Sequence, residues 1–559
     1  MPANFKVFAP NRSSILVAWS TTYQPSEAEL RAFAAAVCIP GVRLQSQHLE
    51  VAINAATLLD LRRVYDVCGI DYEDVLGLVR HFVGRTSAVA LWQPARPAYG
   101  YQADAALDIV VNRTKLLAFD MGCGKTGVAI QAAETVRQQR GGREPVVIIA
   151  PLFTRATWRN ELLAMGAIQD ASELCCLASR NFDDDAALRS AKYVFCHYDV
   201  ISAWWSKINL RKPCFVVVDE GHWIKNGRAA RSNGTMMVAG TAPYRVILTG
   251  TPMSNRPGDL WHLLSVLTNP FAFGSPNDFR IRYAGAEFNG HGYADTGPTH
   301  TDELQERLAT LYVRKTAEDV GLNLPPLTRR FIEIDAESPL SQHEAMTPAE
   351  MHSLVQAVQD NRVAEVLPLL TALRKETSAL KLSHTVQVAA DAIEQGEKVV
   401  IFTWQRATAE KIAAKLSKKQ ATVFCITGEN DMDVRDNMVA EFQAGGADAI
   451  VATLGALREG VTLHAARIVI MHDLDWVPAS LRQAERRVLR IGQHRPCVSM
   501  WMLCRKSVDM IFAAMVLRKL GSISATLGEA VDGFEELEAI ADRERDALRA
   551  SQFADWLNW

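Results

Sequence analysis

The chain has 559 residues, of which 48% are hydrophobic and 22% charged, with a formal net charge of −3. That length exceeds what one hydrophobic core serves and predicts roughly three or four domains of ordinary globular composition. The near-neutral balance excludes a globally basic nucleic-acid binder, so any such site has to be a local patch.

Residues 1–88 read as a small separate α/β unit. Short apolar runs rich in Val and Ile follow, each ending at a polar or glycine-bearing loop: TKLLAF (114–119), PVVIIA (145–150), KYVFC (192–196), CFVVV (214–218) and RVILT (245–249). Residues 269–330 carry glycine, aromatic and proline punctuation and predict an irregular or helical insertion, and residues 340–395 read as helical without strands. The second series is KVVIFT (398–403), ATVFCI (421–426), DAIVAT (448–453), RIVIMH (467–472) and VSMWMLC (498–504), and the tail from 516 to 559 reads as helical. Continuous apolar runs without polar alternation suit parallel strands covered on both faces. Two successive βα series therefore predict an α/β protein with two doubly wound parallel-sheet lobes, over 89–330 and 331–515.

Ten cysteines contain one close pair, Cys175 and Cys176, and no CxxC, which argues against structural zinc and a disulfide framework. The N-terminus has no apolar signal-type region and no run reaches transmembrane length. An intracellular chain, cytoplasmic or nucleoid-associated, with reduced thiols and no membrane partner is the expectation.

The strand TKLLAF runs into DMGCGKT (120–126) and then into a helical pattern, which is the context a phosphate-binding loop requires. Gly122 and Gly124 let backbone N–H groups close around phosphates, Lys125 reaches the β- and γ-oxygens, and the Thr126 hydroxyl ligates magnesium. CFVVVDEGH places Asp219 and Glu220 at the end of a buried strand, where adjacent carboxylates are costly unless a cation or a reacting water uses them. Asp219 is the candidate magnesium partner and Glu220 the candidate base for an attacking water.

DMGCGKT, APLFTRATWRNE (150–161), DEGHWIKN (219–226) and LTGTPMSN (248–255) resemble the ordered motifs of superfamily-two helicases. DEGH followed by KN, YVRKTAEDVGLNLPPL (312–327), KVVIFTWQ, VATLGALREGVTL and QAERRVLRIGQHRP resemble the Swi/Snf branch, over roughly residues 90–515. That resemblance implies two RecA-like lobes that hold ATP and magnesium between them and work on DNA. By matching position, Gln102 reads adenine, Cys123 belongs to the phosphate loop, and Thr249 and Thr251 couple the nucleotide and nucleic-acid sites. Trp158 and Glu161 follow the family pattern, with core packing open as the alternative for Trp158. The motif QAxDRxxRxGQ places Arg487 and Arg490 at the γ-phosphate, on one helical face with Gln483, because planar guanidinium groups suit a phosphoryl transition state. Arg486 stands where the family more often has aspartate, so no role carries over to it, while Phe119 and Cys123 replace a usual aspartate and leucine.

The resemblance places DNA-backbone contacts at Thr154, Arg155, Thr157, Lys225 and Asn226 in the first lobe, and at Trp404, Gln405, Thr453 and Arg458 in the second. NRP after LTGTPMS, together with the QAER wording, is most similar to the HepA-related annealing-helicase subgroup. Residues 29–70 faintly resemble that subgroup's small substrate-recognition domain, with an unrelated α/β cap as the alternative. The expectation is a monomeric, ATP-driven translocase on duplex or branched DNA. A non-catalytic DNA clamp and an RNA-directed motor are the rivals.

Overall fold

Apolar runs become strands where both faces can be covered, and all ten runs read from the sequence are strands. The computed structural model describes residues 90–549 apart from 182–184, 228, 254–255, 269–271, 289–292, 323, 336–362, 458–460, 491, 506 and 529–532, together with the backbone of four strands upstream. The chain divides into two compact units. The first comprises Met1–Met253, Gly258–Tyr283 and Thr299–Thr316, and the second Ser254–Pro257, Ala284–Pro298 and Ala317–Trp559.

In the first unit, β1 (Phe5–Asn11), β2 (Ser14–Trp19), β3 (Val42–Gln45) and β4 (His48–Ala52) form an antiparallel sheet of order β1-β2-β4-β3. The rest of the N-terminal unit, including most of the stretch likened to a substrate-recognition domain, lies outside the described residues.

The main sheet of the first unit contains β5 (Thr114–Phe119), β6 (Val146–Ala150), β7 (Leu174–Leu177), β8 (Tyr193–His197), β9 (Phe215–Asp219) and β10 (Tyr244–Leu248). A two-stranded hairpin of β11 (Glu287–Phe288) and β12 (Tyr293–Ala294) falls in the second unit, and β13 (Tyr312–Lys315) returns to the first sheet. The order is β13-β5-β10-β9-β6-β8-β7, with every pairing parallel. Leu248 pairs with both Leu117 and Asp219, so β5, β9 and β10 end nearly level and their following loops gather at one carboxyl edge.

The second sheet holds β14 (Leu327–Ile334), β15 (Val399–Thr403), β16 (Val423–Ile426), β17 (Ala449–Thr453), β18 (Ile468–Met471) and β19 (Cys497–Cys504). Its order is β14-β19-β18-β15-β17-β16, again all parallel. One face packs Phe402, Ile450, Val469 and Trp501 against the helix Val508–Leu527, and the other packs Ile401, Ile470 and Met502 against the helix Val363–Glu394.

Four sequence expectations change. Residues 269–330 are not only an insertion, because β13 closes the edge of the first sheet and β14 opens the edge of the second. The division between units falls at Thr316 and Ala317 rather than at 330, because β14 pairs with β19 along its full length from Leu327 to Ile334. β7, β13 and β14 escaped the reading because they are edge strands, and alternating or short edges lack the continuous apolar signature. The helix Val508–Leu527 is, by length and composition, apolar enough to cross a membrane, which the sequence reading denied, but Phe512, Val516 and Leu520 are buried in the second core.

Within 340–395 the described part is a helix, Val363–Glu394, and the tail forms the helices Val508–Leu527 and Glu535–Arg549. The described cysteines are free thiols and mostly buried.

Candidate nucleotide site

The loop after β5 turns through Gly122 (φ 87°) and Gly124 (φ 74°), both left-handed, and the helix Lys125–Gln139 starts directly behind it. The first-turn N–H groups of such a helix have no intrahelical acceptor and form a natural anion cradle. Gly124 is needed for its left-handed backbone, and a Cβ there would displace the Gln102 amide that lies against it. The predicted glutamine therefore lies on the last glycine of the phosphate loop. Its Oε1 accepts from the Tyr99 N–H at 3.1 Å, which fixes it at the start of the helix Gly100–Asn112.

Two aromatic residues that the sequence reading passed over flank that glutamine. Tyr101 Oη donates to the Cys123 carbonyl at 3.1 Å, and its ring stacks on Tyr99 at 5.9 Å. The signal was the YGYQ wording itself, which sets two tyrosines just before the glutamine. Cys123 and Phe119, the two departures from the family pattern, are both fully buried beneath the loop.

Lys125 Nζ donates to the carbonyls of Phe119 at 2.8 Å and Asp120 at 3.2 Å, folding back over the loop. Burial lowers its pKa, while the charges of Glu220 and Asp219 oppose that shift, so the lysine and both carboxylates share one environment. The turn after β10 joins them. A Cβ on Gly250 would stand 4.0 Å from Lys125 Nζ and 3.9 Å from the Phe119 carbonyl. Within that turn Thr249 is fully buried, and its hydroxyl accepts from the Thr251 N–H at 3.0 Å.

Asp219 is held from three directions. The Trp158 indole N–H donates to Oδ2 at 2.8 Å, the Glu220 N–H to Oδ1 at 3.0 Å, and Tyr198 Oη to the Asp219 carbonyl at 2.6 Å. Trp158 is thus both core and part of the site. Burial, reinforced by the Glu220 charge, pushes the Asp219 carboxyl from its ordinary 3.8 up to about 7, against the pull of Trp158 and Lys125. Glu220 has φ 51° and ψ 57°, a left-handed conformation that costs a non-glycine residue about 1–2 kcal/mol and recurs at functional sites. Its Oε2 lies 3.3 Å from His222 Nδ1. Glu161 pairs with Arg96.

These groups fit magnesium and a nucleotide. A left-handed glycine loop, a lysine resting on loop carbonyls, and a buried carboxylate beside a second acid, its pKa raised by burial and by Glu220, suit a bound cation with phosphates.

A pH dependence follows from Asp219. Its folded pKa is raised, so the nucleotide-free protein loses stability as pH rises from about 4 through about 7. Binding magnesium there needs the ionised form, so magnesium–nucleotide affinity should fall as pH drops below about 7. Calorimetry near pH 6 in two buffers of different ionisation heat should show proton release on binding, and Trp158→Phe should move the onset to higher pH. Binding that releases no proton near pH 6 would remove Asp219 from the cation site.

In the second unit, the helix Pro478–Glu485 buries Gln483 on its inner face. The expected single helical face through Gln483, Arg487 and Arg490 does not form, because regular helix stops at Glu485 and the chain continues in turns. The reason is tertiary. The Arg487 carbonyl accepts from the Leu463 N–H at 2.8 Å, which draws the chain onto the 461–463 segment. Both arginines face that segment: Arg487 Nη1 donates to the Val461 carbonyl at 3.2 Å, and Arg490 Nη1 to the Thr462 hydroxyl at 2.7 Å. Arg487 is 1% exposed, whereas Arg490 is half-buried.

Arg486 caps the helix through its backbone. The buried acid beside it is Glu485, which receives Arg329 of β14 in a two-pronged pair at 3.0 and 2.8 Å and the Trp501 indole N–H at 3.2 Å. Arg329 and Glu485 were not singled out from sequence, since only the fold brings residues so far apart together.

Residues 54–382 match the SNF2-related domain, more than half of the chain, and residues 381–492 match the helicase conserved C-terminal domain. The chain belongs to the SNF2-related family. This SNF2-related chain is 26% identical over 409 residues to SWI/SNF-related matrix-associated actin-dependent regulator of chromatin subfamily A-like protein 1 of Xenopus tropicalis, covering 72% of this chain and 42% of that protein. It is 24% identical over 455 residues to human DNA annealing helicase and endonuclease ZRANB3, covering 79% of this chain and 41% of that protein. The chain thus spans about two fifths of the length of these relatives, which are of the subgroup its wording resembles. Among solved structures, the Sulfolobus solfataricus SWI2/SNF2 ATPase core in complex with dsDNA is 22% identical, with 82% of this chain and 97% of that chain covered at a TM-score of 0.37.

The remaining positions in this SNF2-related chain divide by exposure. Arg155, Thr157, Lys225 and Asn226 are exposed at loop and helix starts, and the Thr154 hydroxyl is turned back to the Pro151 carbonyl at 2.8 Å. Trp404 and Gln405 lie between β15 and the helix Arg406–Lys418, and Thr453 ends β17. Arg458 lies outside the described residues.

Proposed function

We propose that the chain is a DNA-stimulated ATPase that translocates along duplex or branched DNA, remodelling forks, reannealing strands or displacing bound proteins. The observation that carries this is the gathering of Lys125, Asp219, Glu220 and the Gly250 turn at the level ends of β5, β9 and β10. One of the relatives is named a DNA annealing helicase, which supports DNA as the polymer.

In this reading the N–H groups of Gly122, Cys123 and Gly124 and the Lys125 amine bind the phosphates, and Gln102 reads the adenine. Thr126 and Asp219 hold magnesium, which when bound neutralises phosphate charge. Glu220 takes the proton of the attacking water, and its place beside His222 keeps it in a polar pocket. Arg487 and Arg490 supply positive charge to the transition state, with Gln483 packed behind them. Thr249 and Thr251 pass the nucleotide state to the DNA contacts. Those contacts are Thr154, Arg155, Thr157, Lys225 and Asn226 on one lobe, and Trp404, Gln405, Thr453 and Arg458 on the other. Groups of this kind bind backbone without reading sequence.

ATP turnover measured without polymer, and with duplex DNA, forked DNA, single strands and RNA at two salt concentrations, tests the reading. Stimulation is expected with duplex or forked DNA and should weaken as salt rises. No stimulation by any polymer would sink the motor, and a preference for RNA would move the chain to another branch of the superfamily.

A further inference from the structure

Trp404 follows β15 at the carboxyl end of the second sheet, where open parallel sheets present their ligand-binding loops. It is 37% exposed, a large ring left partly in solvent, yet it is held firmly. Its backbone N–H donates to Asp473 Oδ2 at 2.8 Å, which anchors the loop, and the Arg374 guanidinium lies 4.4 Å from its ring centroid. Arg374 comes from the long helix Val363–Glu394 and is only 4% exposed. It also lies 5.2 Å from the Phe512 ring and donates through Nη2 to the Leu474 carbonyl. Asp473 follows β18 and is 2% exposed, with Lys381 Nζ 3.8 Å from its other oxygen.

Two buried charges from separate elements therefore converge on one loop tryptophan. Burying them is expensive, and an aliphatic side chain would cover the core without that cost. Next in the chain, Gln405 Nε2 is buried with no hydrogen-bond partner among the described residues, and Thr453 stands level with Thr403 in the sheet. A cation stacked against an aromatic ring fixes its plane, and a fixed plane loses little freedom on contact.

We infer that Arg374 and Asp473 are positioning residues that hold Trp404 as a rigid aromatic face, which packs on the sugar and base surface of a nucleic-acid strand. The inference rests on the DNA-motor reading and adds an apolar contact to a set otherwise made of charged and polar groups. Such a contact releases no counterions, so its share of the affinity is insensitive to salt.

The test measures the affinity of a labelled duplex, and the duplex concentration that half-saturates ATP turnover, at several salt concentrations. Trp404→Ala should weaken binding by roughly 5-fold or more, as loss of an apolar contact with sugars and base edges, with the slope of log affinity against log salt unchanged, and Trp404→Phe should restore part of it. Lys225→Ala should instead reduce that slope by about one. Arg374→Met should raise the half-saturating concentration while turnover at saturating DNA is kept, and should add little to Trp404→Ala, because it acts through the ring. Should Arg374→Met fail to fold, Arg374→Lys keeps a buried cation without the planar stack and carries the same expectations.

An unchanged affinity in Trp404→Ala, a changed slope, or effects of Arg374 and Trp404 that simply add would each overturn the inference. A wild-type chain that no DNA stimulates overturns the motor reading, whereas a stimulated wild type with an indifferent Trp404→Ala overturns only this one.

Discussion

Lys125→Ala is expected to lower ATP turnover by roughly 10²- to 10³-fold or more, with DNA binding largely kept. The amine rests on the Phe119 and Asp120 carbonyls, beside the turn that carries Gly250 and in the field of Asp219 and Glu220. Another cation, Arg314, stands at the same loop but is paired with the Asp120 carboxylate and the Ala118 carbonyl. Truncation also removes a desolvated charge, since burial is what lowers the lysine pKa, so the fold should tolerate the change and melt within a few degrees of wild type. Glu220→Gln gives the complementary result, with magnesium–nucleotide binding kept and turnover lost. Steady-state ATPase kinetics alongside nucleotide titration separates the two. Lys125→Ala turnover within tenfold of wild type would mean that the loop after β5 is a glycine turn with an incidental lysine.

The ease with which this site could be read from sequence has a physical basis. The phosphate loop and the two carboxylates are local in the chain: a buried strand, a glycine turn and a helix start must be contiguous to work, so DMGCGKT and VVVDEGH carried both their structure and their chemistry. Most of the ten continuous strands were legible for the same reason, because burial on both faces leaves no polar alternation to confuse the period, and β16, an edge, was legible because its apolar run is unbroken. What escaped is non-local or peripheral. β7, β13 and β14 are edges, where one side has no strand neighbour and the apolar run is short or interrupted. Tyr101 could not be placed against the Cys123 carbonyl, nor Arg329 against Glu485, nor Arg374 against Trp404, without the fold that closes those distances. The helical face through Gln483, Arg487 and Arg490 failed for a related reason. Periodicity assumed that the helix continued, whereas a tertiary bond from Leu463 to the Arg487 carbonyl ends it.

That interruption separates the two arginines and makes their replacement informative. Arg490→Ala is expected to reduce ATP turnover by about 10³- to 10⁵-fold, the range associated with an arginine finger, while the protein melts near the wild-type temperature. Arg490 is half-buried, and its bond to the Thr462 hydroxyl goes to a group that water can satisfy. Arg487 differs. It is 1% exposed, donates to the Val461 carbonyl and sits where the chain is pinned to Leu463. Arg487→Ala leaves a half-buried carbonyl without its donor and a cavity where a fully buried guanidinium stood, so about 3 kcal/mol of stability should go with the activity. Thermal melting and single-turnover ATP hydrolysis on both variants distinguish the roles: Arg490→Ala loses rate alone, and Arg487→Ala loses rate and stability together. If Arg490→Ala lowers only DNA affinity, its guanidinium belongs to the DNA track. If it melts as early as Arg487→Ala, both arginines brace the 461–463 segment, and the transition-state charge must come from another residue.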